Sequence, residues 1–150
     1  MKIKYPLVIA ASTIIAASTL LAGAAYAGLS QPAPVEVGLE DGFGFGRGDQ
    51  LSARASKNDV EYIGCGIRTS QDGAGGTYQW GFCQAADSAG VQYTCFTEDV
   101  GLLDAMKSIN SSSYITFSFT EVAPEEYDCL YIGSSTQSFY LDGKKAKKSK

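Results

Sequence analysis

The chain has 150 residues, 45% of them hydrophobic, a formal net charge of −4, four cysteines and no histidine. That length suits one small domain, and an acidic balance without clustered Lys and Arg argues against nucleic acid as the main partner. Without histidine, Ser-His-Asp and Cys-His catalysis and the usual zinc ligand sets are excluded.

The first expected element is an export signal over residues 1–27. Lys2 and Lys4 supply a positive start, Leu7 to Leu21 is an apolar run broken only by Ser12, Thr13, Ser18 and Thr19, and Ala25-Tyr26-Ala27 has the small-x-small pattern of a signal-peptidase site. Cleavage after Ala27 makes the expected location secreted or periplasmic, with an extracytoplasmic protein or glycan as partner. No Cys stands at the cleavage position to carry a lipid, and no later apolar run is long enough to span a bilayer. Cys65, Cys83, Cys95 and Cys129 all follow the signal. An even count in a short exported chain points to two disulfides and not to metal or catalysis.

Residues 28–52 are expected to be a flexible linker, because Gln31-Pro32-Ala33-Pro34 has extended polyproline character and Gly42 to Gly48 places Gly at every second position. Such a segment offers little apolar surface to offset chain entropy. Gly44-Phe45-Gly46 lacks the third Gly of a phosphate loop, and Arg47-Gly48-Asp49, the tripeptide of many adhesive ligands, is short enough to recur by chance.

From about residue 53 the apolar pattern takes period two, which marks half-buried strands. Ile63, Cys65 and Ile67 alternate with Gly64 and Gly66 in a first strand; Ser70 to Gly76 is a turn; Thr77 to Ala85 and Val91 to Thr97 follow as a hairpin around Asp87-Ser88-Ala89-Gly90. Leu102, Leu103, Met106 and Ile109 then sit at helical spacing, with Thr97 or Asp99 as N-cap and Asn110 as a stop. Two more strands, Tyr114 to Phe119 and Cys129 to Gly133, complete a disulfide-stabilised domain at 53–141. Between Gly28 and Gly143 five basic residues face sixteen acidic ones, whereas Lys144 to Lys150 holds five lysines. Residues 142–150 are therefore expected as a solvated basic tail, with a hook for anionic lipid or polysaccharide as the alternative.

The fold class expected is mainly β (α+β). Strand, strand, strand, helix, strand, strand is the order of the OB-fold, a five-stranded Greek-key barrel with one helix between strands three and four. A small open sheet with one helix gives the same string. In residues, Asp59, Tyr62-Ile63-Gly64-Cys65, Phe82-Cys83-x-Ala85-x-Asp87-x-x-Gly90, Cys95, Ser113-Tyr114-Ile115-x-Phe117 and Cys129-x-x-Ile132 are similar to a group of small exported bacterial proteins sharing this cysteine framework. The resemblance covers most of Asp59 to Ile132. It implies the domain limits and the disulfides, and no site residues.

A hairpin centred on Ala89 sets residues whose numbers sum to 178 opposite one another, which places Cys83 across from Cys95. Of the three connectivities that four cysteines allow, this favours Cys83–Cys95, leaving Cys65–Cys129 between the first and last strands, which are neighbours in an OB barrel. If the cysteines face inward, Tyr78, Trp80, Phe82 and Phe96 face outward as an aromatic strip, the candidate ligand-binding surface; the alternative is that these rings are core. No metal site, cofactor or catalytic residue is expected: Asp72 and Asp87 lack the calcium-loop pattern. The function expected is non-catalytic binding. An inhibitor or interaction module presenting Ser70 to Gly76 to a basic partner is the alternative, and a hydrolase using carboxylates such as Glu98, Asp99, Glu125 or Glu126 is a weaker one.

Overall fold

The computed structural model describes residues 29–141; the expected signal at 1–27 and the basic tail at 142–150 lie outside the described residues. The elements are β1 (Glu36–Glu40), β2 (Phe43–Asp49), α1 (Gln50–Arg54), β3 (Tyr62–Gln71), β4 (Thr77–Ala86), β5 (Gln92–Thr97), α2 (Val100–Lys107), β6 (Tyr114–Ala123) and β7 (Glu126–Ser135), then a single 3-10 turn at Ser138–Tyr140. The strands form one sheet in the order β1-β2-β6-β7-β5-β4-β3. All neighbours are antiparallel except β5 and β7, which are parallel and bridge only at Phe96 and Asp128.

Mainly-β architecture therefore holds, but the five-stranded barrel does not. The five expected strands are β3 to β7, with α2 where the helix was expected, and they leave β3 as a free edge. β1 and β2 extend the sheet beyond β6, and the sheet curls so that they approach β3 and β4 across the core.

The expected linker at 28–52 is the largest correction, since it contains β1, β2 and α1. Even its proline-rich start is anchored: Gln31 donates its backbone N–H to the Phe139 carbonyl (2.8 Å), and Asp49 donates to Ala33 (2.9 Å). The repeating glycines that suggested an unfoldable segment form the inner face of β2. Gly44 and Gly46 are buried beneath the rings of Phe119 and Phe117 from β6, and a β-carbon at either position would run into those rings. The apolar surface missing from β2 is supplied by its neighbour. Burying two phenylalanines completely contributes about 1.5–3 kcal/mol each.

Aspartates set the chain's corners. Asp49 and Asp99 cap α1 and α2, their carboxylates accepting from N–H groups of the first turn. The β3–β4 and β4–β5 loops share one design: Asp72 accepts from Ala74 (2.9 Å) and Gly76 (2.7 Å), and Asp87 accepts from Ala89 (2.9 Å) and Val91 (3.1 Å). In each loop the left-handed position is a glycine, Gly75 at φ 89° and Gly90 at φ 84°. Capping also disposes of the adhesive reading of Arg47-Gly48-Asp49, because Asp49 is wholly buried and Arg47 is paired with Glu36 at 2.9 Å.

The disulfides are Cys65–Cys83 and Cys95–Cys129, not the expected Cys83–Cys95 and Cys65–Cys129. The expected register is correct, with Cys83 opposite Cys95, but Cys83 is also opposite Cys65 on its other side. The four cysteines lie across β3, β4, β5 and β7 in turn, and the two inner ones, Cys83 and Cys95, each bond their outer neighbour. The expected pairing assumed that the strands carrying Cys65 and Cys129 are adjacent. They are separated by β4 and β5, so at ~4.8 Å per strand they stand ~14 Å apart, about twice the reach of a disulfide.

Candidate functional site

Alternation along β4 decides which side chains reach solvent. Gly81, Cys83 and Ala85 are buried, and Leu103 and Met106 of α2 occupy the space over Gly81, so α2 covers the inner side of the sheet at this end. Tyr78, Trp80 and Phe82 alternate with these residues and point the other way. Phe96 joins them, because it is the register partner of Phe82 on β5.

Of the four aromatic residues considered from the sequence, the structure packs Trp80, Phe82 and Phe96 together, with Tyr78 on the same face farther along β4. Trp80 lies between Phe82 and Phe96, its ring centroid 6.0 Å from each. Tyr78 is 51% exposed and Phe96 48%, while Trp80 and Phe82 are half-buried against their neighbours. β3 adds a cation: Arg68, the register partner of Trp80, sets its guanidinium 5.0 Å from the centre of the Phe82 ring. Beyond Thr97, the last β5 residue paired with β4, the β3–β4 hairpin projects as a two-stranded ribbon carrying Tyr78 and the Asp72 loop.

Beside the strip the sheet divides. Because β5 and β7 share only the bridge at Phe96 and Asp128, they diverge on either side of it. A cleft of about 630 Å³ opens there, lined by Trp80, Phe96, Thr97, Glu98, Asp128 and Cys129. A second of about 510 Å³, lined among others by Tyr62, Gln92, Phe96, Glu125 and Tyr127, shares Phe96 with the first. The two meet at Phe96 as a trough whose lining includes the rings of Trp80, Phe96, Tyr62 and Tyr127 and the side chains of Glu98, Asp128 and Glu125. The Cys95–Cys129 disulfide clamps its base, with Cα atoms 5.1 Å apart.

Sequence reading found the rings and missed the trough. Its signal lay in the cysteines: with Cys95 bonded to Cys129, the adjacent Phe96 and Asp128 are neighbours on the opposite face. Asp99 is engaged as a cap, and Glu125 holds the β6–β7 turn with φ 64°. Among the described residues no group of three or more His, Cys, Asp or Glu side chains is arranged to hold a metal ion, and no helix is long and apolar enough to cross a membrane. Compared with protein-family models, curated proteins and solved structures, the chain matches none.

Proposed function

We propose that this protein is a non-catalytic binding domain, exported to a secreted or periplasmic location, that takes its ligand on the outer face of β3, β4 and β5. The observation that carries the reading is the Trp80 cluster. Four aromatic side chains share one face of the sheet, α2 lies on the opposite side, and Trp80 and Phe96 line the open cleft beside it. Large rings grouped at the surface of a small domain serve contact, since their burial there awaits a partner. The two disulfides fit an oxidising, extracytoplasmic compartment.

Arrays of glycans and synthetic peptides, probed with the oxidised protein lacking residues 1–27, test this. The reading expects ligands retained by the wild type and lost by Tyr78→Ala/Phe96→Ala, whose melting temperature stays close to the wild type because both residues are about half exposed. Equal retention by both proteins would overturn it.

A second reading, an inhibitor or interaction module acting through Ser70 to Gly76, has its own support. Asp72 fixes the loop at the end of a projecting ribbon, so little ordering entropy would be lost on docking. Binding that survives Tyr78→Ala/Phe96→Ala but is lost on Asp72→Ala would favour it.

A further inference from the structure

The trough has a chemical bias that narrows its ligand, and this step rests on the binding-face reading above. Its first cleft is lined by two rings, Trp80 and Phe96, and by Glu98 and Asp128; the second adds Glu125, and among the described residues no Lys or Arg lines either. Ionised carboxylates only accept hydrogen bonds, and aromatic faces carry negative potential. Both select a ligand that donates hydrogen bonds and is positively charged. The chain shows the same chemistry internally on the β3 side of the strip, where the Arg68 guanidinium lies 5.0 Å from the centre of the Phe82 ring. Among the described residues a cation lies over Phe82 and over Phe45, and none over Trp80 or Phe96. Four of the body's aspartates are committed to caps and loops, whereas no side-chain donor engages Glu98 or Asp128 among the described residues.

We propose that the cleft between β5 and β7 is a binding site for an Arg or Lys side chain of a partner's basic peptide segment, stacked on Trp80 and Phe96 between Glu98 and Asp128. Charge complementarity identifies the occupant: between Gly28 and Gly143 the chain carries sixteen acidic and five basic residues, which also draws a cationic partner in from a distance.

The probe is a tetra-arginine peptide titrated into the oxidised protein lacking residues 1–27, followed by the emission of Trp80, the only tryptophan. The expected result is a saturable change that weakens about tenfold in Glu98→Gln/Asp128→Asn, the loss of two exposed charge contacts together. Glu40→Gln/Asp59→Asn removes equal charge outside the clefts and is expected to stay within about twofold of the wild type. Equal weakening in both double variants would mean attraction to net charge alone and would overturn the site. Binding that appears only after the five lysines of Lys144 to Lys150 are changed to Gln would make the chain's own tail the occupant and overturn the partner. A neutral tetrasaccharide of N-acetylglucosamine separates this inference from the reading beneath it. If the sugar binds, depends on Phe96 and ignores the carboxylates, while the peptide does not bind, the cationic specificity fails and the binding face stands.

Discussion

Gly46 on β2 and Phe117 on β6 are register partners, and the fully buried Phe117 ring fills the space where a side chain at Gly46 would begin. This fit joins the N-terminal strands to the sheet. Gly46→Ala forces a methyl group into a ring that is packed against Phe119, centroids 6.1 Å apart, and has nowhere to retreat. Overpacking of this kind costs about 1–3 kcal/mol, and a rigid buried neighbour places the cost at the upper end. Gly64→Ala is the matched control, since a β-carbon there meets nothing within 4 Å. Urea midpoints should fall clearly for the first and hardly move for the second; similar midpoints would contradict the packing described.

The two disulfides should be unequal. Cys65–Cys83 closes a separation of 18 residues between strands already joined by a long antiparallel ladder. Cys95–Cys129 closes 34 residues and ties strands that otherwise share one bridge. Chain entropy alone gives roughly 3 kcal/mol for the shorter loop and roughly 4 for the longer. We expect Cys95→Ala/Cys129→Ala to lower the melting temperature more than Cys65→Ala/Cys83→Ala and to raise acrylamide quenching of Trp80 by opening the cleft base. A larger loss from the Cys65 pair would sink the clamp assignment.

How far the sequence could be read follows from the range of the signals. Period-two alternation around Ile63, Cys83, Cys95 and Phe117 is local, so β3 to β7 and α2 were legible, whereas for Trp80 and Phe96 the alternation left an outward strip and a core face both open. β2 was not, because its inner face has no side chains: Gly44 and Gly46 make sense only beside Phe119 and Phe117, more than sixty positions away. The disulfides failed for a related reason. The hairpin register is local and was right, but the choice between Cys65 and Cys95 as partner for Cys83 depends on which strand lies beyond β5, a property of the whole sheet. The trough inherits that dependence, since Asp128 reaches Phe96 only through the β5–β7 bridge.

Asp72 and Asp87 make the same pair of backbone hydrogen bonds in different surroundings. Asp87 joins β4 to β5 in the body of the sheet, whereas Asp72 stands at the end of the free ribbon. Each Asp→Ala change removes two acceptor contacts worth about 1 kcal/mol each. At Asp87 the loss should appear in global stability. At Asp72 it should appear as faster amide exchange at Ala74 and Gly76 with little change in the unfolding midpoint, because the ribbon end opens independently of the core. Unchanged exchange at Ala74 and Gly76 would show that the loop does not need its carboxylate.

High pH should find a weak point at Tyr114. Burial raises this phenol above its ordinary value of 10.0, and Tyr140, stacked on it with ring centroids 4.8 Å apart, adds to the rise. Above about pH 10 the unfolded chain releases a proton that the folded protein still holds at Tyr114, so unfolding gains and stability falls as pH increases. Below that pH both states are protonated and the contribution is fully present. Tyr114→Phe removes the titrating group while keeping the stacked ring, so its unfolding free energy should decline less steeply than the wild type between about pH 9 and about pH 11. The comparison isolates Tyr114 from Tyr127, whose phenol is also raised, first by burial and then by Glu121, and is unchanged in the variant. Parallel urea-midpoint curves for the two proteins across that range would mean that Tyr114 ionises as readily folded as unfolded, and would remove it as the source of alkaline instability.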